Sequence, residues 1–436
     1  MKRRNFLVGL PGAGLGFESQ QAMPVGFFRA GRAILAAVLW LVFIPPVSAQ
    51  FCDDFSGTTL ERDPSGIRGW TFYTGDGLAA MDFSISGKGY ATIDVDATKD
   101  KRGIWWALIR RSVSADMDLS LLRNPKNALR IEVRIKVSDA PKRVNLHLNT
   151  QRTTDFHSHL MEFDIPDTSG WHTISMTTHR FDAAPGDTVY GQLALMDWGL
   201  ERYQVSIDYY KVNIVNLDSI GPDLGEQVPY HPPIQKPAKM AYHIPLAQNG
   251  MVDAEYPQMT FSNWYTRDES GKTDLVTASG TQFVIMRWDL GAFAGKKING
   301  PGLLELTTHS VQRSADYEKD FGMVRIVEIV GGKQLWNRKD INYAILCQGQ
   351  LLSHVLNSQM IIDINVSERK GSKTFATIPR PVLQRLIDGK TLGLAIRPLG
   401  AVNASFYAGS DREGKRGAIL HFNCDPKSAT PAAKEH

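Results

Sequence analysis

After residue 50 the apolar residues of this chain recur with a period of two almost everywhere, and no other feature limits its fold so tightly. In the first part, Leu129-Arg-Ile-Glu-Val-Arg-Ile-Lys-Val137, Val144-Asn-Leu-His-Leu-Asn-Thr150 and Val205-Ser-Ile-Asp208 alternate apolar with polar side chains. In the second part, Phe283-Val-Ile-Met-Arg-Trp-Asp-Leu290, Leu303-Leu-Glu-Leu-Thr307, Val324-Arg-Ile-Val-Glu-Ile-Val330 and Met360-Ile-Ile-Asp-Ile-Asn-Val366 show the same rhythm. Successive side chains of a strand point to opposite faces, so these stretches, bounded by Gly, Pro, Asn and Asp clusters, read as half-buried strands. A helix needs an apolar stripe of period 3.6, and Pro381-Val-Leu-Gln-Arg-Leu-Ile-Asp388, stopped by Gly389, is the best short candidate. Many short strands with turn-sized gaps predict an all-β protein of sandwiches or jelly rolls rather than an α/β fold.

The 436 residues are too many for one ordinary domain. The alternation breaks between residues 217 and 240, where Pro222, Pro229, Pro232, Pro233 and Pro237 fall, the mark of a semi-rigid linker. Two tandem sandwich or jelly-roll domains are therefore expected: 51–217, then a linker over 218–240, then 241–425, with a small polar tail at 426–436.

Residues 1–49 read as a signal peptide. The run Ala33-Ile-Leu-Ala-Ala-Val-Leu-Trp-Leu-Val-Phe-Ile44 is shorter than the roughly 18 residues that span a bilayer. Arg29 and Arg32 precede it, Pro45-Pro46 break it, and Val47-Ser-Ala49 ends in a small-x-small cleavage pattern. Export to the periplasm or the exterior follows, with no membrane attachment once the leader is gone. The whole chain has 49 basic and 45 acidic residues; the leader holds five basic and one acidic, which leaves 44 of each. A neutral mature chain argues against nucleic-acid binding, which needs a basic excess to displace phosphate counterions. Cys52, Cys347 and Cys424 show no C-x-x-C or metal spacing, so no metal site is expected. They leave two states open: a Cys347–Cys424 bridge, or three free thiols.

In the first domain, Trp171-His-Thr-Ile-Ser-Met-Thr177 after an Ile-Pro-Asp-Thr turn, and the closing strand Gln204-Val-Ser-Ile-Asp-Tyr-Tyr-Lys-Val-Asn-Ile214, resemble a galactose-binding-type jelly roll, the architecture of many carbohydrate-binding modules. In the second, Phe283–Leu290, the Gly-Pro-Gly-Leu-Leu-Glu-Leu306 strand, Leu392-Gly-Leu-Ala-Ile-Arg397, Ala404-Ser-Phe-Tyr-Ala-Gly-Ser410 and Ala418-Ile-Leu-His-Phe422 resemble a DNRLRE-type β-sandwich, related to an alginate-binding module. The chain departs from that pattern in Trp288 and in the insertion around 312–321. The resemblance implies contact with a polysaccharide, by analogy, since a fold does not fix a function.

The most informative stretch for chemistry is 144–164. Val144, Leu146 and Leu148 make one face, and Asn145, His147, Asn149 and Gln151 the other. Uncharged groups that both donate and accept suit sugar hydroxyls, and Asn and Gln are poor strand formers. Arg152, His157 and His159 follow; His157 and His159 share a face, a pair that without a third ligand is a weak metal motif. Tyr209, Tyr210 and Lys211 close the domain, and Trp105-Trp106 and Arg110-Arg111 offer one ring and one cation to each face.

This inventory suits β-elimination on a uronate-containing glycan. Arg152 and Gln151 would neutralise the carboxylate, His147 or His159 would be the base, and Tyr209 or Tyr210 the acid. Asn145, Asn149, His157, Lys211 and Trp106 would bind substrate. Glu162, Asp164 and Asp167 offer no glycosidase pair, because Asp164-Ile-Pro-Asp167 reads as a turn. The second domain contributes Asn263, Trp264, Tyr265, Arg287, Asp289, Tyr343 and Arg397, with Arg287 and Asp289 expected to pair. The reading is a secreted polysaccharide lyase or dehydratase with an appended binding domain. Its rivals are a non-catalytic glycan-binding protein and a cell-envelope scaffold. Calcium is a reasonable companion of such sandwiches, yet no Asp-rich loop names its ligands.

Overall fold

The structure is a computed structural model. It describes residues 50–56, 62–63, 66–67, 69–74, 81–85, 87–99, 107–155, 158–196, 202–228, 233–262, 265–268, 271–314, 322–409 and 416–425. The leader, the tail, Trp105, Trp106, His157, Asn263 and Trp264 lie outside the described residues.

The first part contains β1 (Gln50–Asp53), β2 (Arg62–Asp63), β3 (Gly66–Ile67), β4 (Thr71–Thr74), β5 (Met81–Ile85), β6 (Ala91–Asp96), β7 (Ala107–Ser112), β8 (Asn127–Val137), β9 (Lys142–Thr150), β10 (Leu160–Ile165), β11 (His172–Thr177), β12 (Val189–Leu195), β13 (Arg202–Asn216) and β14 (Glu226–Val228). Apart from β2 and β3, which pair only with each other, they form two antiparallel sheets. One runs β11-β8-β13-β6-β5 with β1 added on β13; the other runs β14-β10-β9-β12-β7-β4. Alternate residues of both sheets meet in one core: Ile131, Val133 and Ile135 of β8 and Val205, Ile207 and Val212 of β13 join Val144, Leu146 and Leu148 of β9.

The long strand β13 changes face part-way. Ile207 pairs with Ile135 but Tyr209 pairs with Arg134, so Asp208 is a bulge. Without that extra residue Tyr209 would follow Val205 and Ile207 inward; with it, Tyr210 and Val212 take the core positions instead.

The first part of the expected linker, through Val228, is built into this first sandwich. Arg130 donates to the carbonyls of Gly221 (2.9 Å) and Pro222 (3.0 Å), and its guanidinium lies 3.4 Å from Asp223. Asp223 accepts from Thr177 N–H and hydroxyl, Leu224 bonds with Ser175, and β14 pairs with β10. A chain pinned by this many backbone bonds is an edge strand and its lead-in, not a spacer.

The second part comprises β15 (Tyr242–Pro245), β16 (Gln248–Asp253), β17 (Tyr265–Asp268), β18 (Gly271–Ser279), β19 (Gln282–Arg287), β20 (Gly302–Arg313), β21 (Met323–Ile329), α1 (Tyr343–Cys347), α2 (Leu352–Val355), β22 (Leu356–Ile364), β23 (Lys373–Ile378), α3 (Arg380–Ile387), β24 (Gly393–Leu399), β25 (Val402–Tyr407) and β26 (Ile419–Phe422). Its twelve strands are continuous through β20. The first half of that strand pairs with β23 and β26, and after a register shift between Thr308 and Ser310 the rest pairs with β25. The bulge lets one strand serve both layers around a core that includes Leu304, Leu306, Met286, Ile326, Ile396 and Phe422. A second, smaller core of Ile285, Val327, Ile329 and Ala395 lies on the opposite face, beneath Trp336, Ile341, Leu346 and Val355.

The two parts touch through charge. Arg380 binds Glu226, Lys390 lies 3.2 Å from Asp139, and Lys297 lies 3.7 Å from Asp167. No described helix is long and apolar enough to cross a membrane. Cys52, Cys347 and Cys424 are free thiols; the Cys347–Cys424 bridge does not form, because Cys347 packs in the small core and Cys424 in the large one. Among the described residues no three His, Cys, Asp or Glu side chains gather into a group that could hold a metal ion.

Candidate functional site

Because Val144, Leu146 and Leu148 turn into the core, Asn145, His147 and Asn149 must stand on the outside of the sheet. Register shows what surrounds them. His147 lies opposite Leu160 on one side and Gln192 on the other, Gln192 lies opposite Arg110, and Arg110 opposite Thr71. One row of outward side chains therefore crosses five strands: Leu160, His147, Gln192, Arg110, Thr71. The next row holds Glu162, Asn145 and Ala194, and beyond it Asp164 faces Arg143.

This face has a floor and a rim. Asn145, Asn149 and Gln192 are 1%, 5% and 7% exposed, whereas His147, Arg110, Tyr190, Leu160 and Glu162 are part-exposed around them. His147 Nε2 donates to Asn145 Oδ1 over 2.8 Å. The Asn145 amide nitrogen is buried and has no hydrogen-bond partner. An unmet buried donor costs about 1–3 kcal/mol and calls for an explanation. The Arg110 guanidinium lies 3.8 Å over the Tyr190 ring.

Arg143 organises the lower end. It grips Asp164 through Nε (2.8 Å) and Nη2 (3.0 Å) and reaches Glu162 at 3.3 Å. Burial holds the Glu162 carboxyl above the usual carboxylate range, with Asp164 adding to the shift and Arg143 opposing it. Asp164 belongs to β10, not to a turn as expected; the turn begins at Pro166.

The other expected site residues are not gathered here. Gln151 and Arg152 sit in the exposed β9–β10 turn and staple it to the next loop. Gln151 bonds Asp187 and the Thr188 N–H, while Arg152 binds Asp187 (2.7 Å) and Asp182 (3.0 Å). Asp187 holds the Arg152 guanidinium well above its ordinary value, and Arg152 in turn lowers Asp187. A cation already matched by two carboxylates has little left for a uronate. His159 projects from the opposite side to His147, its backbone carbonyl taking the Leu148 N–H, and its ring packs on Phe181 with centroids 4.9 Å apart. Burial pushes its pKa down.

Tyr209, Tyr210 and Lys211 belong to the other sheet. Tyr209 donates to Glu132 (2.9 Å), and Lys211 Nζ lies 4.0 Å from the Tyr209 ring, outside that sheet. Tyr210 is fully buried against Trp70, so it cannot be a proton donor to substrate. Its hydroxyl stops at Gly191, where a Cβ would come within 2.7 Å. The expected eliminase constellation is thus dispersed over two sheets and the core. In the second part Arg287 and Asp289 do not pair: Asp289 accepts from Gly291 N–H, and Arg287 lies 6.0 Å from the Trp336 ring.

The reading of residues 144–164 missed Gln192, Tyr190 and Glu162. The alternation of Val189-Tyr-Gly-Gln-Leu-Ala-Leu195 would have put Tyr190 and Gln192 outside, but nothing in the chain order says that β12 and β7 lie beside β9.

No family model matches the chain, and no curated protein matches it. Solved structures do. The N-terminal CBM22 tandem of Paenibacillus barcinonensis Xyn10C is 9% identical, covering 86% of this chain and 96% of its own, with a TM-score of 0.24. The family 11 carbohydrate-binding module from Clostridium thermocellum, solved with a β-1,3-1,4-mixed-linked tetrasaccharide, is 16% identical over 35% of this chain and 93% of its own, with a TM-score of 0.22. A β-1,3-glucanase from Mycobacterium marinum is 16% identical over 37% and 97%, with a TM-score of 0.23. Likeness this low decides nothing about function, which rests on the geometry of the site.

Proposed function

We propose that the outer face of β10-β9-β12-β7 binds a glycan and that the chain is an exported carbohydrate-binding protein. The observation that carries this is the recessed amide of Asn145, a buried donor without a partner, set among His147, Gln192, Glu162 and Arg110. A row of hydrogen-bonding side chains, His147 on β9, Gln192 on β12 and Arg110 on β7, at the strand spacing of about 4.8 Å and flanked by Leu160 on β10, suits a saccharide lying across the strands. A sheet of many short side-chain hydrogen bonds, edged by a Tyr–Arg stack, is also what a neutral sugar surface needs from its receptor.

Binding is favoured over elimination because the residues required for the latter stand apart. The test is affinity electrophoresis of the mature protein in gels containing single polysaccharides, neutral and acidic. At least one should retard the wild type, and His147→Ala and Gln192→Ala should each weaken that binding about tenfold, or about 1.4 kcal/mol, with unchanged melting. No retardation by any glycan, or full binding by both variants, defeats the proposal. Release of an unsaturated uronate, followed by its ultraviolet absorbance, would restore the elimination reading.

A further inference from the structure

The second sandwich carries an arrangement that the glycan face does not use. On β22, β21 and β24, Asp363, Arg325 and Arg397 stand in one row, because Arg325 lies opposite Asp363 on one side and opposite Arg397 on the other. Their neighbours Ile326 and Ile396 point into the large core, so this row faces the other way, at the margin of the small core. Two arginines directly opposite each other, with Cβ atoms about 5 Å apart, repel. Asp363 relieves one of them: it takes Arg325 Nε at 2.7 Å and Nη2 at 2.8 Å, a two-pronged match. Arg397 is exposed and has no carboxylate and no hydrogen-bond partner among the described residues. Burial of its stem and the charge of Arg325 both pull its pKa down, as for a cation lacking a counter-charge.

Tyr343 comes in from α1 beside it. Its ring meets Phe283 edge-on with centroids 6.3 Å apart, and its hydroxyl lies near the Cys347 thiol and the charge of Arg397. The site therefore offers a guanidinium without a counter-ion among the described residues, the Arg325–Asp363 pair beside it, and a part-exposed aromatic ring.

We infer that Arg397, Arg325 and Tyr343 form a second binding site, for the carboxylate of an acidic sugar. The guanidinium fork matches a carboxylate in two parallel bonds, which a lysine could not do. A carboxylate there would cancel the charge that Asp363 leaves uncompensated, and the Tyr343 ring offers an apolar surface to the sugar attached to it. The inference is independent of the glycan face in the first sandwich.

Isothermal titration of the full chain tests it, with trimers of galacturonate, mannuronate and guluronate, the methyl ester of each, and acetate. At least one acid trimer should bind, its ester at least tenfold more weakly, and added salt should weaken the acid alone. Arg397→Ala should lose the acid trimer at least tenfold with an unchanged melting temperature, and Arg397→Lys should recover part of it. The acid-trimer binding that Arg397→Ala removes should persist in His147→Ala, which separates this site from the first. The inference fails if no acid trimer binds, if ester and acid bind alike, if acetate binds as tightly as the trimer, or if Arg397→Ala changes nothing.

Discussion

In the first sandwich the outer face of β9 and β12 ends in Asn145, His147, Asn149 and Gln192; in the second, the outer face of β19, β21 and β24 ends in Ile285, Val327, Ile329 and Ala395. The second face is sealed by residues 330–356, whose Trp336, Ile341, Leu346 and Val355 make a second core over it. The first is left with polar groups, one of them an unpartnered amide. Two sheets of similar alternation thus use their outer faces differently, one for packing and the other, in the function proposed above, for recognition. Burying an apolar outer face stabilises the fold; holding an unmet donor costs about 1–3 kcal/mol.

Mutations can break that contrast, beginning where the effect should be greatest. Trp336→Ala cuts the seal of the second face and should destabilise by about 3–5 kcal/mol, read from denaturant melts. A loss below about 1 kcal/mol would mean the cover contributes little and the two faces are alike. Asn145→Leu replaces the orphan donor by an apolar group of similar shape, so glycan binding should fall at least tenfold while stability drops by no more than about 0.5 kcal/mol. Lost stability with retained binding would make Asn145 a structural residue.

A third test is acidity. On the outer side of β26, His243 and His421 share one proton between Nδ1 atoms 2.7 Å apart, and His421 Nε2 lies 3.1 Å from Glu305, which Lys373 also binds at 2.8 Å. Burial pushes the His421 pKa down, with Glu305 opposing and His243 and Lys373 assisting. A base with a depressed folded pKa binds fewer protons folded than unfolded. Its contribution is therefore complete above the ordinary histidine value of about 6.5 and is lost as pH falls below it. Melting temperature should decline below that pH, and His421→Gln should flatten the decline. An unchanged slope in the variant would place the acid sensitivity elsewhere, His159 of the first sandwich being another imidazole whose pKa burial lowers.

The smallest effect belongs to Arg152→Ala. Arg152 and Asp182 are exposed and only Asp187 is largely covered; pairs at the surface are worth about 0–1 kcal/mol, so the melting temperature should fall only slightly and glycan binding should not change. Loss of binding would return Arg152 to the site and undo the division between turn and face.

Much of this was legible in residue order, and its limits are physical. Period-two alternation is local, so strand existence and the inward turn of Val144, Leu146 and Leu148 followed directly, and with them the outward turn of Asn145, His147 and Asn149. The short helix at 380–387 followed from an equally local pattern and its glycine stop. Parity left open which of Tyr209 and Tyr210 turns inward, and a single bulged residue, Asp208, which leaves no mark in composition, decides it by exchanging the two faces of β13. Proline content misled at 217–228, since Arg130 reaches that segment from 91 residues away in sequence.

Alternation thus determined from the sequence alone that the chain is all-β and that an amide-and-imidazole ribbon points away from a core. Which strands lie beside that ribbon, which arginines are already matched by carboxylates, and which sheet face is covered were decided only by tertiary structure. Those depend on strand order and on ion pairs between residues far apart in the chain, and the energy of such contacts is set by what the fold brings within a few ångströms rather than by neighbours along the backbone.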